Sequence, residues 1–429
     1  MKSQMRIRQA FFGVAVLLCV GMVYAWSVLS GPIAAEYPGW SKAQLSLTFT
    51  IVMIMFCIGC LVGGFLNRKL SSGVFLWISS VLFLTGFIIT SRMHSRVMLY
   101  LGFGVICGFA SGLAYNAVMG TVGKWFPDCQ GLISGILLMG FGLSSFIVGK
   151  LYQAFTPETT GAWRNSFLII GIIIAAVLAV CGFVIRPPRD EEKEAFLRGN
   201  GNASQKQAGK AGKTGGAVNP VAMETETSVM LRRPGFWLYF LWAILVSAAG
   251  LALVSQAGGI AREVGDTVSA GTIATVVGLI SIFNGIGRVI FGSLYDKAGR
   301  SFVMQAVNVL FIVTAAIIFA ALKGHSFALL IAGFVLGGIS YGGVTPTNSA
   351  FISSYYGMLH YPMNFAVINT NLILASFGST IAGALYDSSQ SYMSTCLMMC
   401  LLAAVGILAS LGINAADRHL AEQIRNNRL

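Results

Sequence analysis

Apolar runs of about twenty residues recur along this chain and restrict it to a fold embedded in a membrane. At about 1.5 Å per residue, a helix of that length matches a hydrocarbon core roughly 30 Å thick. A composition of 56% hydrophobic and 10% charged residues excludes a soluble globular protein. The runs fall at 10–30, 43–66, 74–91, 97–121, 132–152, 163–185, 236–257, 272–294, 302–321, 327–348, 362–385 and 392–413. We therefore predict an all-α membrane protein with twelve transmembrane helices, numbered below as spans one to twelve.

The distribution of basic residues predicts the orientation. With the N-terminus inside, 20 of the 28 Lys and Arg residues fall on the inner side and 7 on the outer side. This asymmetry predicts a multi-pass protein of the cytoplasmic membrane with both termini in the cytoplasm. The first run follows basic residues as a signal peptide would, but it is too long and lacks a cleavage site, so we interpret it as a retained helix. The net charge of +13 indicates contact with anionic lipid and not with nucleic acid.

The chain divides into two similar halves around a long polar segment. Residues 186–235 separate a predicted six-helix bundle at 1–185 from a second at 236–429, and the Gly-, Lys- and Asn-rich middle of this cytoplasmic loop is expected to be disordered. Asn67 after span two and Asp296 after span eight are 229 residues apart. Such an offset predicts two pseudo-symmetric bundles, with a substrate site between them near the membrane midplane.

Arg288 is the one charged residue deep inside an apolar run. A cation at that depth costs roughly 2.5–3.5 kcal/mol on insertion scales, so it normally faces a cavity and has a function. All 15 Asp and Glu residues lie outside the spans, which makes a mobile anion its natural partner. The alternative is a side chain that extends to the membrane surface near Asp296, eight residues away.

A polar stripe surrounds Arg288. Ser281, Asn284 and Arg288 are spaced to share one helix face. A guanidinium beside a carboxamide suits a carboxylate, because the first offers two parallel N–H groups and the second a further donor. Alternatively, Asn284 bonds a neighbouring helix.

Further polar residues in the spans are candidates for the same cavity. Buried tyrosine hydroxyls and amides need partners, which either a carboxylate or a neighbouring main-chain carbonyl would supply. The candidates are Tyr24, Tyr115, Tyr341, Asn369 and Asn371. The glycines of span five, such as Gly135 and Gly142, indicate helix packing. The pair Cys57 and Cys60 lacks the further ligands of a zinc site, and we expect no metal and no cofactor.

The loop after span eight contains the pattern G-x-x-x-D-[RK]-x-G-[RK]. It is formed by Gly292, Asp296, Lys297, Gly299 and Arg300. This pattern and the twelve-span layout resemble the major facilitator superfamily, in which the loop favours the outward-open state. We expect the Asp296 carboxylate to act in gating by contacting the positive N-terminus of span eleven. The first-half copy has Asn67 at the acidic position, so its contact should be weaker.

A closer resemblance is to the oxalate/formate antiporter family, which includes bacterial monocarboxylate carriers. It is carried by GMVYAWSV, GLAYN, KWFPDCQGLISG, MLRRPGFW, FNGIGRVIFGSLYDKAGR and TPTNSAF. The resemblance implies that Arg288 binds the substrate carboxylate, with Asn284 and the three tyrosines nearby. Members that exchange oxalate carry a lysine in span eleven where this chain has Asn371. A site with one cation matches a monoanion better than a dianion.

These features predict a secondary transporter of small monocarboxylates such as lactate, formate or pyruvate, working as a monomer by alternating access. Coupling by proton symport and by exchange for a counter-anion both remain open, because no buried carboxylate or histidine lies in the spans. The alternatives are an oxalate/formate-type dicarboxylate exchanger, an exporter of other small organic compounds and a sensor of the same fold that transports nothing. An enzyme is not expected, because the chain has no H-E-x-x-H motif and no paired intramembrane aspartates.

Overall fold

The structure is a computed structural model whose described residues are helical wherever they are regular, with no strand among them. It describes residues 2–40, 42–67, 69–155, 161–189, 192, 224–265, 268 and 270–426. The predicted disorder of the central loop concerns residues outside these ranges.

The helices follow the predicted spans in order. In the first half they are Lys2–Val20, Gly21–Ala25 (3-10), Trp26–Glu36, Lys42–Leu66, Ser72–Ser91, Arg96–Leu99, Tyr100–Cys107 (π), Gly108–Val122, Gly123–Trp125 (3-10), Gln130–Phe155 and Trp163–Val184. In the second half they are Thr227–Met230, Pro234–Val264, Ala270–Gly324, Phe327–Gly342, Val344–Tyr356, Tyr361–Asn369, Asn371–Ala375, Phe377–Ser389 and Met393–Asn426.

Ten helical stretches among the described residues are long and apolar enough to cross a membrane. One of them, Thr275–Gly324, has 50 residues and would extend about 75 Å, far more than one crossing requires. Gly299 interrupts it with a φ of 78°, a left-handed conformation that glycine adopts without strain, and so separates spans eight and nine. Span one, Lys2–Glu36, is broken by a 3-10 turn. The predicted fold class, twelve helices in two pseudo-symmetric bundles, is confirmed.

Several spans near the interface between the halves are irregular. Span ten is interrupted at Gly343, because Pro346 cannot donate to the carbonyl of Gly342 and its ring crowds that carbonyl. Span eleven is divided at Thr370 and Ser376, and span four contains a π-helical segment. Irregular backbone is tolerated at membrane depth only where protein or a cavity surrounds it. These breaks therefore indicate helices that face the interior of the molecule.

Each half is tied together at one end by a glutamate that joins its first and last spans. In the first half, Trp163 Nε1 donates to Glu36 Oε2 (2.6 Å) and Arg164 Nη2 donates to Glu36 Oε1 (2.7 Å). In the second half, Glu263 accepts hydrogen bonds from Ser391 Oγ (2.6 Å) and from the main-chain N–H of Tyr392 (2.9 Å). Since Glu263 follows Glu36 by 227 residues, the repeat seen in the loops extends to these carboxylates.

The first helix begins and the last helix ends at the other end of the molecule, which we call the terminal end. It is marked by the ion pair of Arg6 with Asp128 and by the hydrogen bond from Arg300 Nη2 to Asn414 Oδ1 (2.7 Å). The two halves meet mainly along spans five and eight and along spans two and eleven. The candidate site lies in the first of these contacts.

Glu36→Gln should lower the midpoint of thermal unfolding by about 1–3 °C at neutral pH, because the lost ion pair is partly exposed and screened. Burial acts to raise the pKa of Glu36, but the bonds from Arg164 and Trp163 outweigh it and lower that pKa. The stabilisation is therefore present above the ordinary glutamate pKa of about 4.3 and is lost as the pH falls below it. Fluorescence-monitored melting across pH 3–7 measures this loss, which Glu36→Gln should abolish. The exposed Glu226→Gln is the control, and identical curves for both variants would contradict the assignment.

Candidate functional site

Arg288 is buried, with 7% of its surface exposed, and points across the interface between the halves. Its Nε donates to Asn284 Oδ1 (2.9 Å), one helical turn earlier, as the sequence spacing requires. Its Nη1 donates to the main-chain carbonyl of Leu138 (2.6 Å), which belongs to span five of the first half. The burial and these two bonds exclude the alternative in which Arg288 extends to the membrane surface.

Two glycines of span five make room for this arrangement. A Cβ on Gly142 would lie 3.4 Å from Arg288 Cζ and Nε, so the guanidinium occupies the space beside that glycine. A Cβ on Gly135 would lie 2.3 Å from the Arg288 carbonyl oxygen, so the two helix backbones approach closely there. Gly135 therefore has the packing role that the sequence indicated, whereas Gly142 also helps to position the buried cation.

Tyr341 approaches the same region from span ten. A Cβ on Gly342 would lie 2.3 Å from the carbonyl oxygen of Asn284, which shows how closely spans ten and eight pack. The Tyr341 ring lies against Gly250 of span seven, and Tyr341 is within electrostatic range of Arg288. The structure thus brings Arg288, Asn284 and Tyr341 together, as expected.

Tyr115 is buried among aromatic rings of other spans. Its ring stacks on Phe365 of span eleven, at a centroid distance of 5.7 Å, and meets Phe56 and Phe141 edge-on. These contacts place Tyr115 at the meeting point of the halves. Tyr24 lies in the 3-10 turn Gly21–Ala25, and its side chain is outside the described part of the chain.

Asn369 and Asn371 flank the break in span eleven and differ in their partners. Asn371 is fully buried; its Oδ1 accepts from Ser247 Oγ (3.4 Å) and its Nδ2 donates to the carbonyl of Ile368 (2.6 Å). Asn369 is 2% exposed, and its Nδ2 has no hydrogen-bond partner among the described residues. Asn369 therefore offers an amide donor to a bound molecule, whereas Asn371 is satisfied by the protein. Their roles in binding remain predictions.

The prediction that Asp296 contacts the N-terminus of span eleven was wrong. Asp296 Oδ1 accepts from the N–H of Gly131 (2.8 Å) and its Oδ2 from that of Leu132 (2.8 Å), at the N-terminus of span five and not of span eleven. The pseudo-symmetry explains the error, because span eight faces span five while its counterpart, span two, faces span eleven. The pKa of Asp296 is raised, chiefly because the carboxylate has lost part of its surrounding water. The N–H groups of Leu132 and Gly131 act to lower this pKa, and the nearby negative charge of Asp128 acts to raise it.

The remaining residues of the loop pattern support this contact. A Cβ on Gly292 would lie 2.1 Å from the carbonyl oxygen of Gly131, so only glycine allows spans five and eight to meet here. Gly299 makes the turn between spans eight and nine, as described above. The Arg300 guanidinium is 5% exposed and lies over the Tyr355 ring, 4.7 Å from its centroid. Lys297 is exposed.

Around span two, the first-half copy of the pattern contacts span eleven without a charge. A Cβ on Gly64 would lie 2.8 Å from the carbonyl oxygen of Pro362. The same oxygen accepts a hydrogen bond from Asn116 Nδ2 (2.8 Å), which also donates to the carbonyl of Cys60 (3.0 Å). Asn67 itself is partly exposed. Asn116 belongs to the segment GLAYN, whose sequence did not predict this contact.

A chain of buried hydroxyl groups also joins the halves. Ser134 Oγ of span five lies 2.6 Å from Ser349 Oγ of span ten, which lies 2.7 Å from the Tyr361 hydroxyl of span eleven. Isolated serines in apolar helices are common, so the sequence carried no signal for this contact. Among the described residues, no group of three or more His, Cys, Asp or Glu side chains could hold a metal ion.

Comparisons with known proteins agree on the family. A family model described as Major Facilitator Superfamily matches residues 11–265 and 247–426. Similar proteins include an uncharacterised MFS-type transporter, YhjX, of Escherichia coli K12, 28% identical over 352 residues that make up 81% of this chain and 80% of that protein. The oxalate:formate antiporter of Oxalobacter formigenes is 27% identical over 379 residues, or 86% of this chain and 82% of the antiporter.

Two more distant likenesses complete the comparison. Monocarboxylate transporter 12 of Mus musculus is 28% identical over 273 residues, which cover 61% of this chain and 55% of that protein. A solved structure of the proton:xylose symporter XylE, bound to 6-bromo-6-deoxy-D-glucose, matches with a TM-score of 0.75 over 96% of this chain and 95% of the symporter. Because the identity is only 14%, this last match supports the fold and nothing about the substrate.

Asp296→Asn should open the contact between the halves at the terminal end, because an amide loses the charge that interacts with the N-terminus of span five. An interaction of about 0.3–1 kcal/mol, up to about 2 when partly buried, changes the ratio of two states about two- to thirtyfold. Asn67→Asp should have the opposite effect by adding a charge near the N-terminus of span eleven.

Electron–electron distance measurements between spin labels at Arg8→Cys and Phe302→Cys, both exposed at the terminal end of different halves, measure the change. The half-buried Cys129 and Cys400 are replaced by serine to limit background labelling. The control is Asp387→Asn, an exposed carboxylate away from the contact. Unchanged distance distributions for both Asp296→Asn and Asn67→Asp would show that these loops do not set the equilibrium.

Proposed function

Because this chain belongs to the major facilitator superfamily, we propose that it carries small monocarboxylates, such as lactate, formate or pyruvate, by alternating access. The protein is a membrane-spanning transporter of a small molecule and not an enzyme. We further propose that it lies in the cytoplasmic membrane with its terminal end in the cytoplasm. The excess of basic residues on that side supports this orientation.

The observation that carries the proposal is the buried Arg288–Asn284 pair at the interface between the halves. A guanidinium there lies in a region of low dielectric constant, where a carboxylate would be attracted strongly. Asn284 bonds Nε, so a carboxylate would approach the edge formed by the two terminal nitrogens, one of which donates to the Leu138 carbonyl in this structure. Asn369 Nδ2 of span eleven is buried without a hydrogen-bond partner among the described residues, and we propose it as a further donor to the substrate.

The charge of the site favours a monoanion. Asn371 is neutral, fully buried and bonded to Ser247. In the oxalate/formate antiporter family, which this chain resembles, members that exchange oxalate carry a lysine at this position. A dianion facing a single cation would keep one charge uncompensated. Two relatives are named for carboxylates, oxalate and formate in one case and monocarboxylate in the other. The similarity to the oxalate:formate antiporter also supports a second candidate function, the exchange of a dicarboxylate such as oxalate.

Arg288→Lys should retain the fold but lose most transport. An ammonium keeps the charge, yet it cannot donate two parallel hydrogen bonds to a carboxylate, so a loss of about tenfold or more is expected. Uptake of labelled lactate and formate into proteoliposomes measures the effect. Arg262→Lys, an exposed arginine, is the matched control. Uptake by Arg288→Lys close to that of Arg262→Lys would argue against Arg288 as the carboxylate-binding group.

The unaltered protein should prefer lactate or formate to oxalate in competition assays, and Asn371→Lys should shift the preference toward oxalate by supplying a second cation. Asn371→Met is the control for packing at this buried position, because methionine has a length similar to that of lysine but carries no charge. The ratio of oxalate to formate uptake within each preparation removes differences in the amount of folded protein. A preference of the unaltered carrier for oxalate would refute the argument from charge.

A further inference from the structure

Span five presents one continuous face to span eight, from the Asp296 contact to Arg288. We call Gly131, Gly135, Leu138 and Gly142 the span-five contact face. Their spacing of four, three and four residues keeps them on one side of the helix. Gly131 and Gly142 are 11 residues apart, or about 16 Å along the helix axis. The gate and the proposed binding site are therefore connected by a single helix.

The Leu138 carbonyl is accessible because Gly142 has no side chain. Side chains in a helix lean toward its N-terminus, so a side chain larger than a methyl group at position 142 would cover the carbonyl one turn earlier. A single added methyl group would fit, since it would lie 3.4 Å from Arg288 Cζ and 3.6 Å from Nη1. A branched side chain would extend into the guanidinium itself.

The bond from Arg288 Nη1 to Leu138 O uses one of the nitrogens that a carboxylate would bind on the terminal edge of the guanidinium. A carbonyl carries only a partial negative charge, whereas a carboxylate carries a full one, so the anion is the stronger acceptor for this cation. A carboxylate that draws the guanidinium toward itself lengthens the bond to span five. The same movement removes an attraction between the two halves.

From this geometry we infer that the Leu138 carbonyl, exposed by Gly142, positions Arg288 and couples substrate binding to opening of the terminal end. When the guanidinium bonds to Leu138, it holds spans five and eight together, and Asp296 adds its own contact farther along the same face. A bound carboxylate binds the guanidinium in place of the Leu138 carbonyl, so the Asp296 contact and the packing of the glycines are left to hold this face closed. A carrier without substrate therefore changes state rarely, which makes flux depend on the carried anion. This inference rests on the proposed function of Arg288.

Three variants test the coupling. Gly142→Val should displace the guanidinium from Leu138, and Arg288→Met should remove the donor while keeping a long apolar side chain. Gly142→Ala should leave the bond in place. The spin-label pair at positions 8 and 302 reports the open fraction at the terminal end without any substrate. We expect the open-to-closed ratio to rise on the order of tenfold in the first two variants, with no change in Gly142→Ala.

Transport assays then separate a positioning role from a loss of packing. In proteoliposomes, Gly142→Val should increase net efflux into substrate-free medium relative to exchange, whereas a merely destabilised protein would lose both rates together. Should Gly142→Val fail to fold, as judged by size-exclusion chromatography, the Arg288→Met distances decide. Unchanged distances in Arg288→Met would overturn the inference.

The two hypotheses fail in different ways. Opening in Arg288→Met, combined with no response of the unaltered protein to lactate or formate, would support the coupling by Leu138 and refute the proposed substrate class. A response of the unaltered protein to lactate or formate, with Arg288→Met remaining closed, would support the substrate class and refute the coupling.

Discussion

A single buried cation determines how the interior of this transporter is organised. Arg288 cannot be paired with a carboxylate from the apolar part of any span, since all 15 Asp and Glu residues lie outside the apolar runs. It is instead surrounded by dipoles, with Asn284 Oδ1 on one nitrogen and the Leu138 carbonyl on another. Two consequences follow. Span five must come close enough to offer its main chain, and glycines must make that approach possible.

The irregular helices meet a second requirement of the membrane interior. A carbonyl or N–H group left without a partner in hydrocarbon costs several kcal/mol, so helix breaks occur only where the protein supplies other partners. The breaks in spans ten and eleven lie beside buried polar residues, such as Thr347, Asn369 and Asn371. Thr347 Oγ1 donates to the carbonyl of Gly343 at the break in span ten. The helices that lose regular hydrogen bonds are thus those that can expose polar groups to a substrate.

The sequence predicted the elements better than their contacts. Span positions follow from apolar length alone, and the Arg288–Asn284 bond follows from helical spacing. The partner of Asp296 was assigned to the wrong helix because the loop motif identifies the carboxylate but not which N-terminus faces it. The bond to Leu138 could not be predicted, since a main-chain acceptor leaves no signature in the side chains. The link from Ser134 to Tyr361 likewise depends on packing, because a serine in an apolar helix can satisfy its hydroxyl by bonding the main chain of its own helix, as Ser134 also does with Gln130.

The two contacts at the terminal end are related by pseudo-symmetry but differ in chemistry. On the side of spans five and eight, a carboxylate bonds two N–H groups of a helix N-terminus, a charged contact that solvent and local pH can influence. On the side of spans two and eleven, neutral Asn116 bonds the carbonyl of Pro362, and a proline at that position removes one of the N–H groups an acid would need. The charged contact shares its helix with the group that holds Arg288, whereas the neutral one does not. Under the proposed coupling, electrostatic changes at Arg288 are therefore transmitted along span five, whereas the span-two side presents a neutral contact that such changes affect less.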